Sequence, residues 1–353
     1  MMLKWGRKGN YAYACSRVKA KKSLLLTKDN YPKLLMMDAN EIGRFLGETQ
    51  YQEEMTELAS RYGGVNLIEL GVSRNLARVY SEILGFCTGE LQDMISSYLY
   101  RWDFWNIKTI LRGKFYGATV DEIREDLVPA GKLTEDYLNT LLAMETNEEV
   151  MEAVRKTEGL CIPESVMNQY QDTGILQPIE DFLDQVYYHR LLEHIRPKSK
   201  PEKLFLSFVR KEIDMMNLRT LLKLKKAGIP PERMASFFID GGNELTLHEL
   251  TRLSGMEDFE ETVDELNPYS FFEDISEGLE EAKDGGSLTH VMREVQRHLI
   301  RSSERFSHMH PLSVLPVLDF VLRKKIEVDN IRIIARGRES DMDPDSIRNL
   351  LVM

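Results

Sequence analysis

The stretch Arg101-Trp102-Asp103-Phe104-Trp105-Asn106-Ile107-Lys108-Thr109-Ile110-Leu111-Arg112-Gly113-Lys114 decides how the chain is read, because a version of it occurs three times. The second copy is Lys211-Glu212-Ile213-Asp214-Met215-Met216-Asn217-Leu218-Arg219-Thr220-Leu221-Leu222-Lys223, and the third is Lys324-Lys325-Ile326-Glu327-Val328-Asp329-Asn330-Ile331-Arg332-Ile333-Ile334-Ala335-Arg336-Gly337-Arg338. Counted from Asn106, Asn217 and Asn330, each copy has an acid three residues earlier (Asp103, Asp214, Glu327) and aliphatic residues one and four later. Bases follow two later (Lys108, Arg219, Arg332) and six later (Arg112, Lys223, Arg336), with no gap in the register.

A second anchor repeats in step. Leu26-Thr27, Leu133-Thr134 and Leu245-Thr246 each open a segment with Leu at the ninth position (Leu34, Leu141, Leu253), Met at the twelfth (Met37, Met144, Met256) and Glu at the sixteenth (Glu41, Glu148, Glu260). The first Leu precedes the Asn of its own copy by 80, 84 and 85 residues. Two markers keeping step is the signature of a repeat. It divides the chain into three expected units, 1–117, 118–228 and 229–353.

Composition sets the bounds. The chain has 353 residues, 42% hydrophobic and 29% charged, with a formal net charge of −11. That balance opposes a broad nucleic-acid surface, which needs a large basic field. No run of apolar residues is long enough to span a bilayer. Residues 1–22 carry seven bases but no apolar core of a signal peptide, so the expected location is cytoplasmic. Cys15, Cys87 and Cys161 are far apart and lack CxxC spacing, which argues for reduced packing residues.

Apolar residues recur at three and four rather than two, so the expected fold is all-α, in units suited to helical bundles. Helices are expected over 11–26, next behind caps at Thr27 and Asp29 with Leu34, Leu35 and Met37 on the inner face, continuing over 41–62 to a break at Gly63-Gly64, then over 67–86 and over 91–112. Residues 196–201 are the most loop-like run, and the repeat places them inside the second unit.

At 100° per residue, the aliphatic positions of the motif share one helix face and the two bases the other. The acid lies within the apolar arc and the Asn near its edge. A carboxylate there needs a partner, because burying it charged and unpaired costs on the order of several kcal/mol. Acid and Asn therefore read as a structural polar clasp. The six bases read either as solvated or as a surface that meets an acidic partner.

Catalytic chemistry is not evident. There is no GxxxxGK[ST] loop, and His189, Glu193 and His194 fit neither HExxH nor HxxEH. Residues 341–345 resemble the start of a calcium loop, but Ser346 stands where it needs Gly and Val352 where it needs Glu, so a helix cap is the better reading. His290, His298, His308 and His310 read as parts of a solvated helix, and the acidic run 257–265 as a water-facing surface. No catalytic, cofactor or metal site is expected.

One family does match these residues. Tyr11-Ala12-Tyr13-Ala14 with Arg17, Phe45-Leu46-Gly47-Glu48-Thr49-Gln50-Tyr51, the run from Tyr100 to Lys114, and Pro129-Ala130-Gly131 resemble the C subunit of archaeal-type (A-type) ATP synthases, the counterpart of the d subunit of V-type ATPases. The resemblance runs from about Tyr11 to the C-terminus and is loosest over 257–310. It implies three similar helical domains arranged as a pseudo-threefold funnel. It further implies a non-catalytic rotor part on the cytoplasmic face of the membrane, seated on the proteolipid ring and receiving the central shaft. A soluble helical-repeat scaffold that binds protein partners is the alternative.

Overall fold

The computed structural model describes residues 8–157, 162–195 and 197–353, so the reading of Cys161 lies outside the described residues. It is all-α, with no strand among the described residues. The chain forms two compact units, one of residues 1–187 with 327–342 and one of residues 188–326 with 343–353.

In the first unit, the opening helix Tyr11–Lys22 buries Tyr11, Ala14, Cys15 and Val18. It stops short of the expected residue 26 in a series of turns from Ser23. The expected helix over 41–62 is two helices, Ala39–Leu46 and Gln52–Leu58, separated by turns at Gly47, Thr49 and Gln52. Gly63 and Gly64 then open Gly64–Phe86, with Gly64 at φ 58°, a left-handed conformation that a side chain would strain. The segment expected over 91–112 is likewise divided, into Gly89–Leu99 and Arg101–Phe115. Thr27 and Asp29 do not cap through their side chains: the Thr27 amide and hydroxyl donate to Asn30 Oδ1 at 2.7 and 2.8 Å.

Reciprocal caps fix several helix starts. Asp38 with Glu41, Thr119 with Glu122, Thr146 with Glu149 and Ser199 with Glu202 each satisfy two free amides. The Ser199 cap, with Pro201 in the first turn, starts Lys200–Lys226 within the run 196–201, so the last two residues of that loop-like run are helical and it sits inside a repeat. Asp343 caps Pro344–Arg348 through the amides of Asp345 and Ser346, as expected for the false calcium loop.

The core of the second unit gathers Leu218, Leu221 and Leu222 with Leu250, Leu253, Val263, Phe271, Ile275, Leu279, Val291 and Val295. Phe272–Lys283 and Thr289–Met309 approach closely, since a Cβ on Gly278 would stand 2.7 Å from the Val291 backbone. Gly278→Ala is therefore expected to force the two helices apart at a cost of about 1–3 kcal/mol, read as a lower urea midpoint. An unchanged midpoint would contradict the packing at this crossing.

Candidate functional site

Asp103, Asn106, Asp214, Asn217, Glu327 and Asn330 are all buried, none more than 3% exposed. Each acid accepts from the backbone just ahead of an anchor helix. Asp103 takes the amides of Lys132 and Leu133 at 2.8 and 3.0 Å. Asp214 takes those of Asn243, Glu244 and Leu245 at 2.9, 3.1 and 3.0 Å. Glu327 takes the Leu26 amide, Gln50 Nε2 at 2.9 Å and the Tyr51 hydroxyl at 2.6 Å. In every copy one donor is the Leu of a Leu-Thr anchor: the first motif holds the second anchor, the second holds the third, and the third holds the first.

The Asn side chains reinforce two of these contacts. Asn106 donates to the Val128 carbonyl and accepts from its amide, both at 2.8 Å, and Asn217 does the same with Ile239 at 2.7 and 2.8 Å. In the third copy Asn330 bonds the Tyr31 hydroxyl, which burial and then the charge of Glu327 push up to about 12.

Sequence reasoning missed a third element, a base eight residues after each Asn. Lys114 donates to the carbonyls of Leu142 (2.9 Å) and Met144, Lys225 to those of Ser254 (3.3 Å) and Met256 (2.6 Å), and Arg338 to that of Met37 (3.1 Å). Met144, Met256 and Met37 are the anchor methionines. Acid and base are eleven residues apart in the motif, as Leu and Met are in the anchor. Eleven residues bring a helix round to within about 20° of a whole number of turns, with a rise of about 16.5 Å. Both groups thus lie on one face and grip the anchor segment at its two ends. The signs suit the helix dipole, anion at the amide end and cation at the carbonyl end.

Close approach limits what can stand near the acids. A Cβ on Gly131 would lie 2.0 Å from Asp103 Oδ1, and one on Gly242 2.5 Å from Asp214 Oδ1. The first anchor is preceded by Ser23-Leu24-Leu25, with no glycine, and there the acid is the longer glutamate, which reaches from farther away.

The six outward bases divide into two kinds. Lys108 pairs with Asp184 at 2.5 Å, and Arg112 grips Glu180 through two nitrogens, the second at 2.8 Å. Arg336 grips Glu69 in the same two-pronged way, and Arg332 donates to the Ser73 hydroxyl. Arg219 and Lys223 have no carboxylate within ion-pair distance among the described residues. Burial lowers the Arg219 guanidinium despite the nearby Tyr188 phenol, and burial and then the charge of Arg219 lower the Lys223 ammonium.

The structure adds one constellation with the order of a nucleophilic triad. Ser302 Oγ lies 3.3 Å from His298 Nε2, and His298 Nδ1 lies 2.6 Å from Asp274 Oδ2. His298 and Ser302 are 6% and 4% exposed, against the expected solvated helix, and the void beside them has room for about one water, not a substrate. Burial would raise the Asp274 carboxyl, but His298 and Arg301 hold it below the usual range. The group ties helices together. His189 and Glu193 form an exposed pair, and no group of three metal-ligating side chains occurs among the described residues.

Residues 14–350 match the family described as "ATP synthase (C/AC39) subunit". The chain belongs to this family. It is 40% identical to the C subunit of the A-type ATP synthase of Methanococcoides burtonii, over 99% of this chain and 96% of that one. It is 35% identical to the corresponding A-type C subunit of Haloquadratum walsbyi, over 96% and 97% of the two chains, and 34% identical to that of Haloferax volcanii, over 98% of each. Membership of the A/V-type rotary ATPase is what such relatives support, in an accessory rather than a catalytic role. Among the described residues no helix is long and apolar enough to cross a membrane.

Two expectations follow. Asp214→Ala removes the acceptor of three amides and is expected to cost about 3 kcal/mol in urea unfolding, whereas a loss below about 0.5 kcal/mol, typical of exposed sites, would deny the grip. Burial, outweighing its two amide donors and Lys132, pushes the Asp103 carboxyl up to about 6. A folded value above the unfolded one of about 3.9 gives stability that is present below pH ~4 and lost as pH rises through ~6. The stability of the native chain relative to Asp103→Asn should therefore fall by roughly 2–3 kcal/mol between pH 4 and pH 7. A difference that stays flat over this range would sink the assignment.

Proposed function

We propose that the chain is a non-catalytic central-stalk subunit of an A/V-type rotary ATPase, lying at the cytoplasmic face of the membrane between the central shaft and the proteolipid ring. In this reading its three repeats close around a common centre as a funnel and carry torque in ion-driven ATP synthesis or ATP-driven pumping. The observation that supports it most is the order of the buried contacts, first motif to second anchor, second to third, and third back to first. A linear stack would leave the first anchor and the last motif unpaired and would need specialised end repeats. Closure of the order suits a part that surrounds a shaft. A ring of buried, charge-assisted hydrogen bonds also suits a part that must transmit load without opening, since such bonds are about twice as strong as neutral ones.

The rotor role is tested in reconstituted complexes by covalent cross-links. Linking this chain to the proteolipid ring is expected to leave ATP-driven ion pumping intact, because both turn together. Linking it to a stationary peripheral subunit is expected to stop both pumping and hydrolysis. Pumping that survives the second link would place the chain outside the rotor.

A further inference from the structure

The ion pairs of the outward bases follow a register that the repeats make explicit. Glu69 and Glu180 each lie 37 residues before the Asn of their own copy, and Ser73 and Asp184 each lie 33 before it. The base six after the first Asn, Arg112, meets Glu180 of the second copy, and the base two after it, Lys108, meets Asp184. Likewise Arg336 and Arg332 of the third copy meet Glu69 and Ser73 of the first. In the third copy the corresponding positions are Arg293 and Arg297. The rule therefore sets Lys223 against Arg293 and Arg219 against Arg297, base against base.

The second unit is packed in this register. Lys200–Lys226 and Thr289–Met309 run antiparallel: Lys211 Nζ sits 4.5 Å over the Phe306 ring, and Asp214 lines one small void with His298 and Ser302. Continuing along both helices brings Arg219 level with Arg297 and Lys223 level with Arg293. Glu294 lies 2.7 Å from Arg297 and 3.8 Å from Arg293 and also faces His290 at 3.6 Å, while Arg219 and Lys223 have no carboxylate within ion-pair distance among the described residues. Arg293 donates besides to the Asn349 carbonyl. The Nε atoms of Arg293 and Arg297 are buried without a hydrogen-bond partner among the described residues, and the Lys223 side chain is exposed.

We propose that this basic joint, Arg219 and Lys223 with Arg293 and Arg297, is a docking site for a carboxylate-bearing segment of a partner chain. The sister joints show which chemistry satisfies these motif bases: Glu180 and Asp184, four residues apart on one helix, in the first, and Glu69 with the Ser73 hydroxyl in the third. Here the fold places bases instead, so the acids must come from outside. Guanidinium groups take carboxylates in a two-pronged geometry, as Arg112 and Arg336 do within this chain. The chemistry of the site is independent of the rotor role.

The test uses the full chain and three probes: an eight-residue peptide with four glutamates, its glutamine counterpart, and inorganic phosphate. The glutamate peptide is expected to bind, more weakly as salt rises, and to lose at least tenfold in affinity on Arg219→Glu with Lys223→Glu or on the milder Arg219→Gln with Lys223→Gln. The glutamine peptide should not bind. In the free chain the double glutamate variant should raise the thermal midpoint by supplying the acids the joint lacks, whereas Lys108→Glu with Arg112→Glu should lower it. Absent binding of the glutamate peptide, or equal binding to native and variant chains, would overturn the site. Phosphate binding without peptide binding would make it a small-anion site and overturn the partner segment. A midpoint that falls in the double glutamate variant would overturn the facing of the four bases.

Discussion

A buried carboxylate that accepts backbone amides at the head of a neighbouring helix is the contact on which the remaining structure depends. Such a charge is tolerated only where donors are fixed in advance, and here the backbone itself supplies them. The acid dictates what surrounds it: glycine where an aspartate comes close, a longer side chain where no glycine is present. The base eleven residues on completes the grip at the other end of the same segment. With both ends held, the anchor segment cannot slide along the motif helix without breaking charge-assisted bonds at two places at once.

The outward bases perform a different task with the same helices. Where they meet acids they fasten one copy to the next, and their two-pronged arginine contacts fix orientation as well as distance. The three copies thus share a buried face that is nearly uniform and an outer face that is not. Uniformity inside follows from the demands of burial. The freedom outside lets one joint differ in sign from its sisters without disturbing the core.

The all-α fold is legible in the spacing of apolar residues, and the clasp in the recurrence of acid and Asn, because a carboxylate inside an apolar arc is hard to explain otherwise. The donors are not legible: Lys132, Leu133 and Leu245 contribute main-chain amides, which carry no side-chain signal. The base eight after the Asn does leave a signal, since its spacing from the acid equals that of Leu and Met in the anchor. A second copy bounded at Lys223 hides it, ending two residues short of Lys225. The acids of the joints lie a whole helix away, where no motif draws attention, and only the contacts of Lys108 and Arg336 make their register visible. Helix ends at 22, 46 and 99 escape periodicity because turns there interrupt the backbone without interrupting the apolar pattern.

The bond between Glu327 and the Leu26 amide joins residues 301 positions apart. At the pace of ribosomal synthesis, roughly 5–20 residues per second, the Leu26 amide emerges some 15–60 s before its acceptor exists. The first compact unit, which contains residues 327–342, therefore waits for residues made more than 100 positions after its main segment, although it begins first. During that interval Tyr51 and Gln50 also wait for the same carboxylate. Until residue 327 has been made, the three donors that will meet its carboxylate must find water or other acceptors instead.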